Sequence, residues 1–173
     1  AFTQTIQHRE VYKKPTGGKG KFADIEFTMG PADEGVQGLQ FVDEVKGGVI
    51  PREFIQATER GFKGALSNGV LAGFPVESLK VTLTDGSFHP VDSDALSFES
   101  AAHIAFKEAG LKAGAVLMEP IMRVEIHCPD EYIGEVTGDL NKKRSILREV
   151  IANIGFQVIK ADVPLAEMFG YIT

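Results

Sequence analysis

Hydrophobic and polar residues alternate with a period of two in several stretches of the chain and recur with a helical period between them. Residues 2–12 are polar but β-compatible, with Ile6 and Tyr12 as the main apolar members, and predict an edge-like strand. Ala23, Ile25, Phe27 and Met29 alternate with Asp24, Glu26 and Thr28 and predict a half-buried strand. Leu39, Phe41 and Val45 suggest another, ending at Gly47-Gly48. Pro51 sets up a helix in which Phe54, Ala57, Thr58, Gly61, Phe62, Ala65 and Leu66 share one face, with Gly69 as its expected stop. After a Gly-containing crossover over residues 67–75, Leu79, Val81 and Leu83 predict a strand that the turn dipeptide Asp85-Gly86 should close. The next helix carries Phe98, Ala101, Ala102, Ala105 and Ala109 as its stripe, and the small alanines imply close approach to a partner helix or sheet.

Gly110, Gly114 and Pro120 punctuate a boundary, placed between an N-terminal unit of residues 1–115 and a second of residues 116–173. In the second, Met122, Val124, Ile126 and Cys128 alternate as a strand, and Pro129-Asp130 opens a helix with Tyr132, Ile133, Val136 and Leu140 on one face. Residues 146–151 and 156–163 read as two more strands, and Pro164 as the start of a helix containing Leu165, Met168 and Phe169. The class is α+β, and the order β-α-β-β-α is a ferredoxin-like unit short of its fourth strand. A missing strand leaves a backbone edge unpaired, so residues 1–173 are expected to be a piece of a longer protein.

With 43% apolar and 24% charged residues, the 173-residue chain has the composition of an ordinary globular protein. Its net charge of −6 argues against a protein that coats nucleic acid through global charge, so such binding would need a local basic patch. The lone Cys128 permits no internal disulfide and fits a reducing compartment. With neither a membrane-length apolar run nor a signal peptide, the expectation is a cytoplasmic protein.

One basic loop stands out at residues 13–21, where four lysines, Lys13, Lys14, Lys19 and Lys21, surround Gly17 and Gly18. It lacks the G-x-x-x-x-G-K spacing followed by Ser or Thr, and the following helix, of a nucleotide-binding loop. A solvated turn is the plainer reading of its composition; a cationic tip that meets a nucleic-acid backbone is the sharper one. A second loop, residues 87–93, holds Ser87, His89 and Asp92 beside the rigid Pro90. Asp92, Ser93 or Asp94 can serve as cap of the following helix, the two acids being assigned mainly to that duty, and because His8, His103 and His127 show no ligand spacing to His89, Asp92 and Asp94, no metal site is expected. His89 has no structural duty evident in the sequence and is the candidate for partner contact. In the second unit Asn141, Lys142, Lys143 and Arg144 end a helix, where cations are favoured whatever the partner.

Seven strings in order carry a resemblance: T-G-G-K-G-K-F, F-V-D-E-V-K-G-G-V-I-P-R-E-F-I, V-L-A-G-F-P-V, V-T-L-T-D-G-S-F-H-P-V-D-S, M-E-P-I-M-R-V-E-I, G-D-L-N-K-K-R and V-P-L-A-E-M-F-G-Y. Together they resemble the C-terminal part of the bacterial elongation factor G family. The resemblance implies a fourth domain of the ribosomal protein S5 domain 2 type, with a left-handed βαβ crossover, followed by an incomplete ferredoxin-like fifth domain. It further implies a monomer that works on both ribosomal subunits, tRNA and mRNA, with no membrane or DNA partner. Lys14, Gly17, Gly18, Lys19, Lys21, Ser87, His89 and Asp92 would then form the tip at the decoding site, and Asn141, Lys142, Lys143 and Arg144 would meet ribosomal RNA. GTP and Mg would belong to an N-terminal domain outside this chain, so neither cofactor nor catalysis is expected here. A tetracycline-type ribosome-protection factor or a diverged paralogue shares the architecture. Small-molecule kinases share the fold of the first unit, but use a Gly-rich loop at a helix N-terminus, whereas this loop lies between two strands.

Overall fold

The computed structural model describes residues 1–15 and 17–171, so Thr16 of the basic loop and the last two residues of the second unit lie outside the described residues. The chain divides into two compact units, residues 1–117 and residues 118–173. No described helix is long and apolar enough to cross a membrane.

Unit 1 is a four-stranded sheet with two helices. Strands β1 (Ile6–Lys14), β2 (Lys21–Gly30), β3 (Gly38–Asp43) and β4 (Ser78–Ser87) are ordered β1-β2-β4-β3. β1 and β2 form an antiparallel hairpin in which Ile6 faces Met29 and Lys14 faces Lys21. β2 pairs antiparallel with β4, and β3 runs parallel to β4, joined to it through helix α1 (Arg52–Ala65). Helix α2 (Ala95–Lys112) follows β4 and packs against α1, β1 and β2.

The alternation predicted for β2 is what builds the core. Ala23, Ile25, Phe27 and Met29 are fully buried, as are Leu79, Val81 and Leu83 of β4 and Phe98, Ala101, Ala102, Ala105, Phe106 and Ala109 of α2. The alanine stripe lets the helices close on one another: a Cβ at Gly61 of α1 would stand 2.6 Å from the Glu99 carbonyl oxygen of α2. Phe62 meets Phe27 edge to face at 4.9 Å, so sheet and helix share one aromatic contact. Phe2 lies outside β1, pairs in a single bridge with Ala115 and sets its ring against Phe106, which ties the start of unit 1 to its end.

Unit 2 is a three-stranded antiparallel sheet, β5 (Ile121–Pro129), β6 (Ile146–Asn153) and β7 (Phe156–Pro164), ordered β5-β7-β6. Helix α3 (Ile133–Lys142) covers it through Leu140, which packs with Cys128, Ile159, Ala161 and Val163. Its core is smaller than that of unit 1, as expected for so short a stretch.

Several boundaries differ from the sequence expectation, each for a physical reason. β1 begins at Ile6 and runs to Lys14, because pairing with β2 rather than apolar content sets its length. β3 ends at Asp43, where the Asp43 carboxylate accepts from the Val45 amide and turns the chain. α1 stops at Ala65, short of Gly69; Gly69 serves instead the turn after it, donating its amide to Phe74 O at 3.1 Å.

Asp85-Gly86 does not end β4, which continues to Ser87. The strand passes so close to β2 that a Cβ at Gly86 would lie 2.2 Å from Asp24 O, so the glycine permits strand contact there rather than a turn. A register shift at Glu26/Phe27 accompanies it, with Thr84 Oγ1 donating to Glu26 O. In unit 2, Asp130–Tyr132 is a 3-10 turn ahead of α3, which leaves Tyr132 exposed. Among the described residues after Pro164 only the 3-10 turn Leu165–Glu167 forms, and Phe169 is exposed rather than on a helix face.

A candidate ribonucleoprotein-contacting tip

The described residues of the β1–β2 loop, 15 and 17–20, lie at the same end of unit 1 as the connection from β4 to α2. Backbone and side-chain bonds hold the two together. Phe22 N donates to Asp92 O at 2.9 Å, and Gly20 N donates to Asp92 Oδ1 at 2.9 Å. Ser93 Oγ donates to Phe22 O at 2.7 Å and accepts from His89 N at 2.8 Å. An open cleft of about 320 Å³ between the loops is lined by Lys14, Gly18, Gly20, Lys21, His89 and Asp92 among others.

Within the second loop the imidazole of His89 organises the turn. Its Nδ1 accepts from the amides of Val91 at 3.2 Å and Asp92 at 3.1 Å. A neutral ring that accepts at Nδ1 carries its proton on Nε2, so the turn itself selects which nitrogen is the donor. The Asp92 carboxylate stands 3.6 Å from the same Nδ1, and the His89 side chain is about half exposed. Beneath this turn Phe88 meets Phe54 of α1 at 6.0 Å, and Phe54 stacks on Phe98 of α2 at 4.8 Å, which seats the loop on the core. Sequence reasoning missed this aromatic seat. Its trace in the sequence is the aromatic residue of the loop, Phe88.

The cations at the tip differ in how far they are committed. Lys14 and Lys21 face each other across the hairpin, a like-charge pair that needs outlets. Lys14 Nζ sits over the Tyr12 ring at 5.6 Å, and Lys21 Nζ bonds Asp94. Gly17, Gly18 and Lys19 are exposed. Asp94, not Asp92 or Ser93, caps α2: its carboxylate accepts from the Ser97 amide at 2.8 Å and from the Ser97 hydroxyl. Burial opposes ionisation of Asp94, but the bonds from Lys21 and Ser97 outweigh it and hold the carboxyl down to about 2.

Ser87 is not at the open tip. It ends β4, half-buried, and donates to Asp24 Oδ2 at 2.7 Å. Asp24 is itself almost fully buried and takes both nitrogens of an Arg9 fork at 2.9 and 2.7 Å. Burial again works against its charge, and the bonds from Arg9 and Ser87 lower its carboxyl below the usual range. Ser87 therefore supports the base of the tip.

In unit 2 the basic run closes α3 and is partly neutralised. Asn141 and Lys142 are exposed. Lys143 Nζ lies over the Tyr171 ring at 5.3 Å and 3.9 Å from Asp139. Arg144 adopts a left-handed φ of 52° and forks onto Glu119 at 2.9 and 3.3 Å, while its Nε reaches Glu167 at 3.1 Å. Its guanidinium thus clamps the segment just before β5 to the turn after β7, a use that the sequence did not reveal.

Comparison with known proteins is consistent across the chain. Residues 1–114 match the family "Elongation factor G, domain IV" and residues 116–173 the family "Elongation factor G C-terminus". Over 173 residues the chain is 62% identical to elongation factor G of Amoebophilus asiaticus and 57% identical to that of Cytophaga hutchinsonii, covering 100% of this chain and 24% and 25% of those proteins. A crystal structure of a Thermus thermophilus protein superposes with a TM-score of 0.87 at 38% identity, over 98% of this chain and 25% of that one. The chain spans about a quarter of the length of these relatives, and the mixed sheet with two helices, the three-stranded unit and the stapled pair of loops all fall within the matched regions. The chain belongs to the elongation factor G family, whose domain IV and C-terminal domain it carries.

Proposed function

We propose that this chain supplies the ribosome-contacting end of a translocation factor, with its tip entering the decoding region beside tRNA and mRNA. The observation that carries the reading is the stapling of two loops, one cationic and one bearing an imidazole, at one end of a rigid four-stranded unit. Lys14 and Lys19 offer ammonium groups to phosphates, Lys21 adds its charge from its place on Asp94, and Gly17 and Gly18 let the backbone approach closely. His89 offers Nε2–H to a 2′-hydroxyl or base-edge acceptor of an RNA helix that is read by shape. Asp92 and Ser87 act from behind, Asp92 by joining the loops and Ser87 by holding Asp24.

Mechanically, such a tip works as a pawl: it fills the space behind a moving tRNA and blocks its return, while GTP hydrolysis elsewhere in an intact factor times the step. Asn141 and Lys142 of unit 2 are the residues of the basic run best placed to meet ribosomal RNA, since Arg144 is engaged by two carboxylates. The chain itself needs no GTP and hydrolyses none, and it works in the cytoplasm as a monomer.

The test is single-turnover translocation with the intact factor. His89→Ala should slow tRNA–mRNA movement by about tenfold, the equivalent of ~1.4 kcal/mol of lost hydrogen bonding, and leave ribosome-stimulated GTP hydrolysis unchanged. Equal loss of both activities, or no effect on movement, would defeat the reading.

A further inference from the structure

Away from the tip, one cluster of side chains has a composition that neither the fold nor the proposed function uses. His8 and Glu10 lie two residues apart on edge strand β1 and so share a face, and Glu108 of α2 reaches the same point. His8 Nε2 is 3.1 Å from Glu10 Oε2 and 3.6 Å from Glu108 Oε2, and the three donor atoms lie within 4.8 Å of one another. The His8 side chain is 9% exposed and that of Glu10 is 13% exposed, whereas Glu108 is open to solvent at 56%. The His8 ring leans on Phe27 of the core at 5.7 Å, which fixes its plane. Arg9, the nearest cation along the strand, is committed to Asp24.

We propose that His8, Glu10 and Glu108 form a binding site for a divalent first-row transition ion of the zinc type. One largely buried imidazole nitrogen and two carboxylate oxygens converge on one point, a mixed nitrogen–oxygen donor set that a single divalent ion can join. The spacing fits: donors about 2.0–2.1 Å from a tetrahedral zinc stand about 3.3–3.4 Å apart, and the two measured separations from Nε2 fall on either side of that value. An imidazole with two carboxylates suits zinc and its neighbours rather than magnesium or calcium, which prefer all-oxygen sites. Three protein donors leave a fourth position for water or another small ligand.

The site joins the edge strand to α2, so its occupation would fasten the sheet to the helix that follows the tip loop. Zinc titrated into the 173-residue chain by isothermal calorimetry tests this directly. The wild type should take up one zinc per chain, Glu108→Gln should weaken it by about tenfold or more, and His8→Gln should abolish it. Glu108→Gln is the deciding variant, because an exposed helix residue can change without disturbing the packing on Phe27; its thermal unfolding without metal should match that of the wild type. Wild-type binding no tighter than that of the double variant His8→Gln with Glu108→Gln overturns the site. So does zinc uptake that Glu108→Gln leaves unchanged, which would locate the metal elsewhere, for instance at Cys128 or His127.

Discussion

His89 occupies the tip with both of its ring nitrogens in distinct roles, and substitutions can separate them. Nδ1 holds the turn by accepting two amides, and Nε2–H is the group that the proposed function gives to the partner. Asparagine places an oxygen near the position of Nδ1 and glutamine places its amide near that of Nε2. His89→Asn should therefore keep the turn, read as unchanged amide exchange at Val91 and Asp92, yet translocate as slowly as His89→Ala. His89→Gln should do the reverse, freeing those amides while recovering part of the rate; identical behaviour of the two variants would remove the division of labour. Asp94 gives a second prediction at this scale. Its folded carboxyl titrates near 2 against an ordinary value of 3.8, so its contribution is complete above about pH 4 and disappears as pH falls towards 2. Asp94→Ala should cost about 0.5–2 kcal/mol at neutral pH, as for other helix caps, and flatten the acid limb of the unfolding curve measured by circular dichroism between about pH 4 and pH 2. None of this could be read from the sequence in full: Asp92, Ser93 and Asp94 were equivalent as cap candidates, and only the fold decides which one lies over the Ser97 amide.

At the scale of elements, the core was legible because periodicity reports burial. The alternation of β2 and the alanine stripe of α2 fall where the structure puts the interior, and small residues did mark the close helix contact. The failures share one cause, the use of local turn chemistry where a neighbouring element governs. Asp85-Gly86 carries a turn signature, but Gly86 is glycine because Asp24 O stands against it. Pro164 suggests a helix start, yet only one 3-10 turn forms after it among the described residues. The Gly61 contact makes the same point quantitatively. On propensity alone Gly61→Ala would stabilise α1 by about 1 kcal/mol. The new Cβ, however, would press on a backbone carbonyl at 2.6 Å, and overpacking of that kind costs about 1–3 kcal/mol. The net change should be destabilising in urea unfolding; a stabilised variant would mean that α1 and α2 can separate more easily than their packing implies.

At the scale of the whole molecule, the attraction to RNA that the proposed function requires cannot come from overall charge, because the chain is acidic at −6. It has to be local, and the candidates are the lysines of the tip and the end of α3. Counting phosphate contacts distinguishes the two. Each contact made to RNA releases counterions, and its removal lowers the slope of log affinity against log salt by about 0.7–0.9. If the tip contributes, Lys14→Gln combined with Lys19→Gln in an intact factor should reduce the slope of ribosome binding, measured by pelleting over a range of salt concentrations, by that amount for each lysine that meets a phosphate. Lys142→Gln should reduce it separately, since the two groups lie in different units. Arg144→Gln should leave the slope almost unchanged, because that guanidinium is already held by Glu119 and Glu167 and releases no counterion on binding. A slope that falls with Arg144→Gln but not with the tip lysines would reverse the assignment, moving the electrostatic contact from the end of unit 1 to the clamp of unit 2.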